Sequence, residues 1–219
     1  LESAQRNLLE SAQRNLAAAA HYDRYETQSW AAEANYQLSL LEQQREHAGD
    51  AVAAADLAVQ REAARIWYRT QACLVRVRFW MSLSDNQRVS ARDYCAVQSK
   101  GTAIENAEAY LNHGLYQLRS TATARGGDQI RAWAAAVESF RTGVSVLGDP
   151  RRLDASGRAL RAKLARGNND TLVCQGNANA PSLQIEVGDA ADAENARSFF
   201  ANYNLVGDLG TPNCSTRRN

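Results

Sequence analysis

The stretch DAVAAADLAVQREAARIWYRTQACLVRVRFWM, residues 50–81, carries the strongest structural signal in the chain. Val52, Ala55, Val59, Ala63, Ile66, Cys73, Val77 and Trp80 fall at helical spacing, which predicts one amphipathic α-helix across the whole run. Proline in a helix interior costs about 3 kcal/mol. The only three prolines are Pro150, Pro181 and Pro212, so residues 1–149 read as long helices joined by brief turns.

Upstream, Leu16, Ala20, Trp30, Ala34, Leu38 and Leu41 form the stripe of a first helix reaching about Glu46. Gly49 and Asp50 then supply a stop and an N-cap. Together the two helices predict an antiparallel hairpin over residues 1–81 with arms of roughly 45 Å or more. Arg61, Arg65 and Arg69 recur every four residues, with Arg76 nearby, and are expected to face Glu33, Glu42 and Glu46 across it. The hairpin opens on a perfect tandem octad, LESAQRNL twice over residues 1–16. Its leucines, Leu1, Leu8, Leu9 and Leu16, cover an arc of roughly 100° and offer a broad face for another helix.

Downstream, Ser84 with Gln87 and Thr102 with Glu105 match capping boxes that start two further helices. Gly126, Gly127 and Asp128 break the chain, and Ile130, Trp133, Val137, Phe140, Val144 and Leu147 predict the seam of the next helix. Asp149 and Pro150 have the pattern that launches another. Past Arg166 the pattern changes: residues 167–170 read as a loop, 171–174 and 183–187 as short strands, and Asp189 as the start of a helix ending near Tyr203. The expected fold class is therefore all-α, an elongated helical bundle built on a long antiparallel helical hairpin, with a small disulfide-tied C-terminal α+β appendage. The bundle spans residues 1–166, with the hairpin at 1–81 and shorter helices at 84–166; the appendage spans 167–219.

One local pattern resembles a tetratricopeptide repeat. Ala136, Phe140 and Gly143, followed by Gly148, Asp149 and Pro150, are similar to that family's second helix and exit, and Tyr110 to Leu118 to its first helix. The halves are spaced too far apart and the pattern occurs once, so it is read as a generic helical hairpin.

Bulk composition excludes more than it identifies. The 219 residues are 45% hydrophobic and 22% charged, with a formal net charge of +1, which shows no global bias toward nucleic acid or an anionic membrane. No apolar run approaches the ~20 residues of a transmembrane helix. Cys73, Cys95, Cys174 and Cys214 show neither CxxC nor ligand spacing with histidine, so disulfides are expected, most economically Cys73 with Cys95 and Cys174 with Cys214.

The three histidines, His21, His47 and His113, fall on separate predicted helices and read as ordinary half-buried or surface residues. Asp189, Asp192 and Glu194 lack the spacing of a calcium loop. No nucleophile elbow, phosphate loop or metalloprotease motif occurs, so no catalytic, cofactor-binding or metal-ligating residue is expected and the chain reads as a non-enzyme. Arg151, Arg152, Arg158 and Arg161, with few acids nearby, join the octad leucines as expected partner-contact residues.

The function expected is that of a structural or protein-interaction component of an extracytoplasmic assembly, in an envelope, secretion system or surface layer. Its location would be periplasmic or extracellular, as a mature chain without its signal peptide. Its partners would be other helices or copies of itself, without nucleic acid, cofactor or transmembrane segment. The rival readings are a small-ligand or haem carrier with Trp30, Trp67, Trp80 or Trp133 around a cavity, and an inhibitor of a cell-wall enzyme.

Overall fold

The computed structural model describes residues 10, 11, 13–15, 18, 28–62, 66–98, 101–176 and 185–205. Every regular element among them is helical. The chain divides into two compact units, Leu1–Tyr94 and Cys95–Asn219.

In the first unit, α1 (Gln28–Gln44) and α2 (Ala48–Arg61) form an antiparallel pair. Their facing sides are mostly alanine: Ala31, Ala32, Ala51, Ala54, Ala55 and Ala58 are all buried, which lets the helices approach closely. Ser39 adds a cross-helix bond, its Oγ donating to the carbonyl of Ala51 at 2.7 Å. The reversal comes earlier than Gly49. Glu46 takes the left-handed conformation, φ 59°, and the His47 amide reaches back to the Glu42 carbonyl at 2.9 Å, the six-to-one bond of a Schellman close. Gly49 and Asp50 therefore sit inside the first turn of α2 rather than at its cap.

The helix predicted over residues 50–81 is two helices. α2 ends at Arg61, and α3 (Ile66–Arg78) folds back along it before α4 (Asp85–Tyr94) returns again. In a straight helix Asp56 and Arg76 would stand about 30 Å apart. Here Arg76 Nη2 donates to both carboxylate oxygens of Asp56, at 2.7 and 2.8 Å. Folding back also buries Tyr68 against Ala32 and Ala58, a contact no continuous helix could make. The hydrophobic period runs on through the turn, so periodicity could not reveal it. A 3-10 turn, Trp80–Ser82, links α3 to α4, and Ser84 with Gln87 forms the expected cap, with bonds of 2.9 and 3.4 Å.

The Cys73–Cys95 disulfide is present and buried, fastening α3 to the residue after α4. Cys174 is also disulfide-bonded; its expected partner, Cys214, lies outside the described residues.

The second unit stacks α5 (Ala103–Ser120), α6 (Gly127–Leu147), α7 (Ala155–Cys174) and α8 (Ala190–Ala201). Thr102 and Glu105 form the full capping box of α5. Phe140 of α6 is completely buried between two glycines. A Cβ on Gly114 of α5 would lie 2.5 Å from its ring, and one on Gly167 of α7 2.6 Å. Gly143 likewise makes room for Leu164. The seam of α6 is accordingly Ala132, Ala136, Phe140, Gly143 and Leu147. Ile130 of the predicted seam points to solvent, and Trp133, Val137 and Val144 are only half-buried. Small residues rather than large ones mark the line of closest approach.

Among the described residues the expected α+β appendage is not found. Residues 167–170 lie within α7, and Thr171 to Cys174, read as a strand, form its last turn. Residues 185–187 have no regular structure, and the other residues of the second expected strand, 183 and 184, lie outside the described residues. Gly167, Asn168, Asp170 and Thr171 look like loop residues but are buried: Gly167 admits Phe140, and Thr171 returns its hydroxyl to the Gly167 carbonyl at 2.7 Å. Asp149 and Pro150 launch only a 3-10 turn, Pro150–Arg152; Asp154 caps α7, its Oδ1 accepting from the Gly157 amide at 2.7 Å. Asp189 does open a helix, and it ends at Ala201.

Candidate functional site

The early turn between α1 and α2 places three potential ligands together. Glu42 in the last turn of α1, His47 before α2 and Asp50 in its first turn bring their donor atoms within 4.8 Å of one another. Glu42 is 1% exposed, while His47 and Asp50 are open to solvent. His47 Nδ1 lies 2.8 Å from Glu42 Oε2, and Arg45 Nη1 lies 3.5 Å from Oε1. Glu42 and Asp50 also line a groove of about 330 Å³ together with Gln13, Leu38, Ala53, Ala54 and Leu57. Sequence reading assigned no metal ligand here, because it placed the stop at Gly49 and so put His47 and Asp50 on opposite sides of a break. The available signal was His47 three residues before Asp50, a helical i, i+3 pair.

Neither ion pair that involves Arg76 or Glu46 is one the expected charge seam contained: Arg76 meets Asp56, and Glu46 meets Arg78. Arg76, 1% exposed, pairs with Asp56, donates Nη1 to the Ala72 carbonyl at 3.0 Å and stacks 4.1 Å over the Tyr94 ring. Burial, and next the negative charge of Asp56, raise the Tyr94 phenol above its ordinary value. Arg78 meets Glu46 at 2.6 Å, and Glu33 accepts from the Tyr68 hydroxyl at 3.0 Å.

The predicted contact arginines separate into two groups. Arg151, Arg152 and Arg158 are exposed around the 3-10 turn and the start of α7. Arg161 turns inward, donating to the Glu186 carbonyl at 2.8 Å, with its Nε buried and without a hydrogen bond. The four octad leucines, Leu1, Leu8, Leu9 and Leu16, lie outside the described residues, as does His21.

A second apolar surface was not foreseen. Trp30, Ile66 and Trp67 are 75%, 51% and 48% exposed, and all stand in the first turns of α1 and α3. Trp67 is braced edge-on by Tyr36 at 6.1 Å between ring centres. Trp80, by contrast, is buried and Trp133 half-buried. The four tryptophans of the carrier reading thus occupy different environments.

In the second unit, His113 lies beside Ser139, with Nδ1 and Oγ 2.8 Å apart, which invites comparison with a catalytic pair. The hydrogen-bond chain argues otherwise. Ser139 Oγ donates to the Ala135 carbonyl at 2.7 Å, so His113 Nδ1 donates to it, and His113 Nε2 accepts from Gln117 at 3.1 Å. Each group is satisfied with a neutral imidazole, and burial lowers the affinity of His113 for a proton. Ser139 is itself buried and presents no nucleophile to a substrate.

One turn past Gly167, Asp170 accepts from Arg166 Nε at 2.6 Å, yet burial dominates and pushes its pKa up to about 6. Asn169 clamps the returning chain, donating to the Ile185 carbonyl at 2.8 Å and accepting from the Ile185 amide at 3.0 Å. These groups are structural ties.

Compared with known proteins, the chain matches no family model, no curated protein and no solved structure.

Proposed function

We propose that the chain is a disulfide-stapled helical interaction module of an oxidising, extracytoplasmic compartment, acting by contact with a helix of a protein partner. The observation that carries this reading is the exposure of three large apolar side chains, Trp30 in the first turn of α1 and Ile66 and Trp67 in the first turn of α3. Scattered single hydrophobics are common on surfaces, but large aromatic side chains are what partner interfaces favour. Tyr36 holds Trp67 edge-on, which lowers the conformational entropy lost on docking. The buried Cys73–Cys95 bridge supports the compartment, since such bonds persist where thiols are oxidised. Among the described residues no helix is long and apolar enough to cross a membrane.

Site-specific photocrosslinking in the native setting tests the proposal. A photoreactive side chain in place of Trp30 or Trp67 should give adducts with one and the same protein, mapping to a helix in it. The same probe at exposed Asn86, at the start of α4, should give none. Adducts from all three positions, or from Asn86 alone, would overturn the docking surface. Recovery of Cys73 and Cys95 as free thiols from that setting would overturn the compartment.

A further inference from the structure

The geometry points to a site for a divalent transition-metal cation of the zinc class, held by Glu42, His47 and Asp50 at the α1–α2 turn. One imidazole and two carboxylates suit such ions: borderline metals accept nitrogen and oxygen together, whereas calcium prefers an all-oxygen shell. Tetrahedral coordination with bonds near 2.1 Å separates donor atoms by about 3.4 Å. Their mutual distances of up to 4.8 Å need a closure of up to about 1.4 Å, available to the exposed His47 and Asp50 side chains. Glu42 provides the fixed point, being buried at the end of α1.

The electrostatics favour a cation. Glu42 is 1% exposed and, among the described residues, meets the partly exposed Arg45 at 3.5 Å and His47 at 2.8 Å. By formal charge, two carboxylates against one guanidinium leave the turn with an excess of acidic groups. A divalent ion takes the place of the proton between His47 Nδ1 and Glu42 Oε2, and the imidazole proton moves to Nε2, so no proton need be released. Three protein ligands leave a coordination position, and the groove beside Glu42 and Asp50 gives it access to water or a small anionic ligand. The Schellman close at Glu46 is what holds the two helix ends in this register.

Titration of the oxidised full chain with Zn2+ alone, in competition with a chromophoric chelator, tests the assignment. One site per chain is expected, weakened about tenfold or more in both His47→Ala and Asp50→Asn. Asp50 is exposed, so Asp50→Asn should keep the wild-type helicity and zinc-free unfolding midpoint, whereas His47→Ala also removes the 2.8 Å contact to buried Glu42 and is read against its own zinc-free midpoint. At one zinc concentration the thermal midpoint of the wild type should rise by more than that of either variant. Absence of zinc binding by the wild type, or equal binding by the wild type and both variants, would overturn the site.

Discussion

The two units are both antiparallel helical stacks, yet they fill their interiors by different means. The first closes alanine faces around a buried cation: Arg76 is fully enclosed and answered by Asp56, Tyr94, Ser90 and the Ala72 carbonyl. The second closes glycines around a ring, with Phe140 pressed between Gly114 and Gly167. Close helix approach is common to both, but one interior depends on charge neutralisation and the other on shape. A buried ion pair fixes partners and register without necessarily adding stability over an apolar replacement, whereas a ring in a fitted slot contributes burial and packing directly. The polar first unit is also the one that shows aromatic side chains to solvent and gathers metal-type ligands at a turn.

The largest effect is expected from Phe140→Ala, which opens a cavity lined by two glycines that cannot fill it and should cost about 3–5 kcal/mol. Denaturant unfolding measures the loss, and amide exchange should place it in α5, α6 and α7. A cost below ~1 kcal/mol would show that the slot collapses and that shape does not govern this unit.

In the first unit the loss should depend on which partner is removed. Asp56→Ala strands the enclosed Arg76 cation and should cost about 3 kcal/mol. Arg76→Met should cost less, because the Asp56 side chain is 27% exposed and water can solvate it. Unfolding midpoints of the two variants give the order, and the reverse order would refute charge neutralisation as the basis of this interior.

The smallest effect is a pH dependence confined to the second unit. Asp170 has an ordinary value of 3.8 and about 6 when folded, so the native state holds its proton more tightly. Its contribution is fully present below pH 3.8 and is lost as pH rises through 6. The stability difference between wild type and Asp170→Asn should therefore shift toward the variant by about 2 kcal/mol between pH 4 and pH 7.5. His113 works in the opposite sense, since its depressed proton affinity makes the fold lose stability as pH falls below its ordinary value of 6.5. Comparison with Asp170→Asn cancels that background. A difference that stays flat across this range would mean that Asp170 is not buried as described.

Local chemistry written in the chain was readable where it depends on neighbours. The capping pairs Thr102 with Glu105 and Ser84 with Gln87, the N-cap role of Asp189, the all-helical character before Pro150 and the Cys73–Cys95 pairing needed only residues within a few turns of each other. Three readings failed for one reason. The turn after Arg61, the buried Gly167-to-Thr171 segment and the small-residue seam of α6 all depend on what packs against the helix. An asparagine-rich segment resembles a loop until its glycine is needed to admit Phe140. The candidate metal cluster escaped notice because a one-turn shift in the helix boundary moved Asp50 from a cap into line with His47.

Helical propensity, capping and the spacing of apolar residues are properties of a few consecutive residues, so composition and order alone were enough to establish an α-helical chain with its caps and one local bridge. Where the helices turn back, which face each one buries and which distant side chains meet are set by closure between helices. Glycine, alanine and charged residues acquire their roles there from partners twenty or more positions away, such as Asp56 for Arg76 and Gly114 for Phe140. Those long-range pairings lower the free energy only once the loops between them have closed, and no local pattern records them.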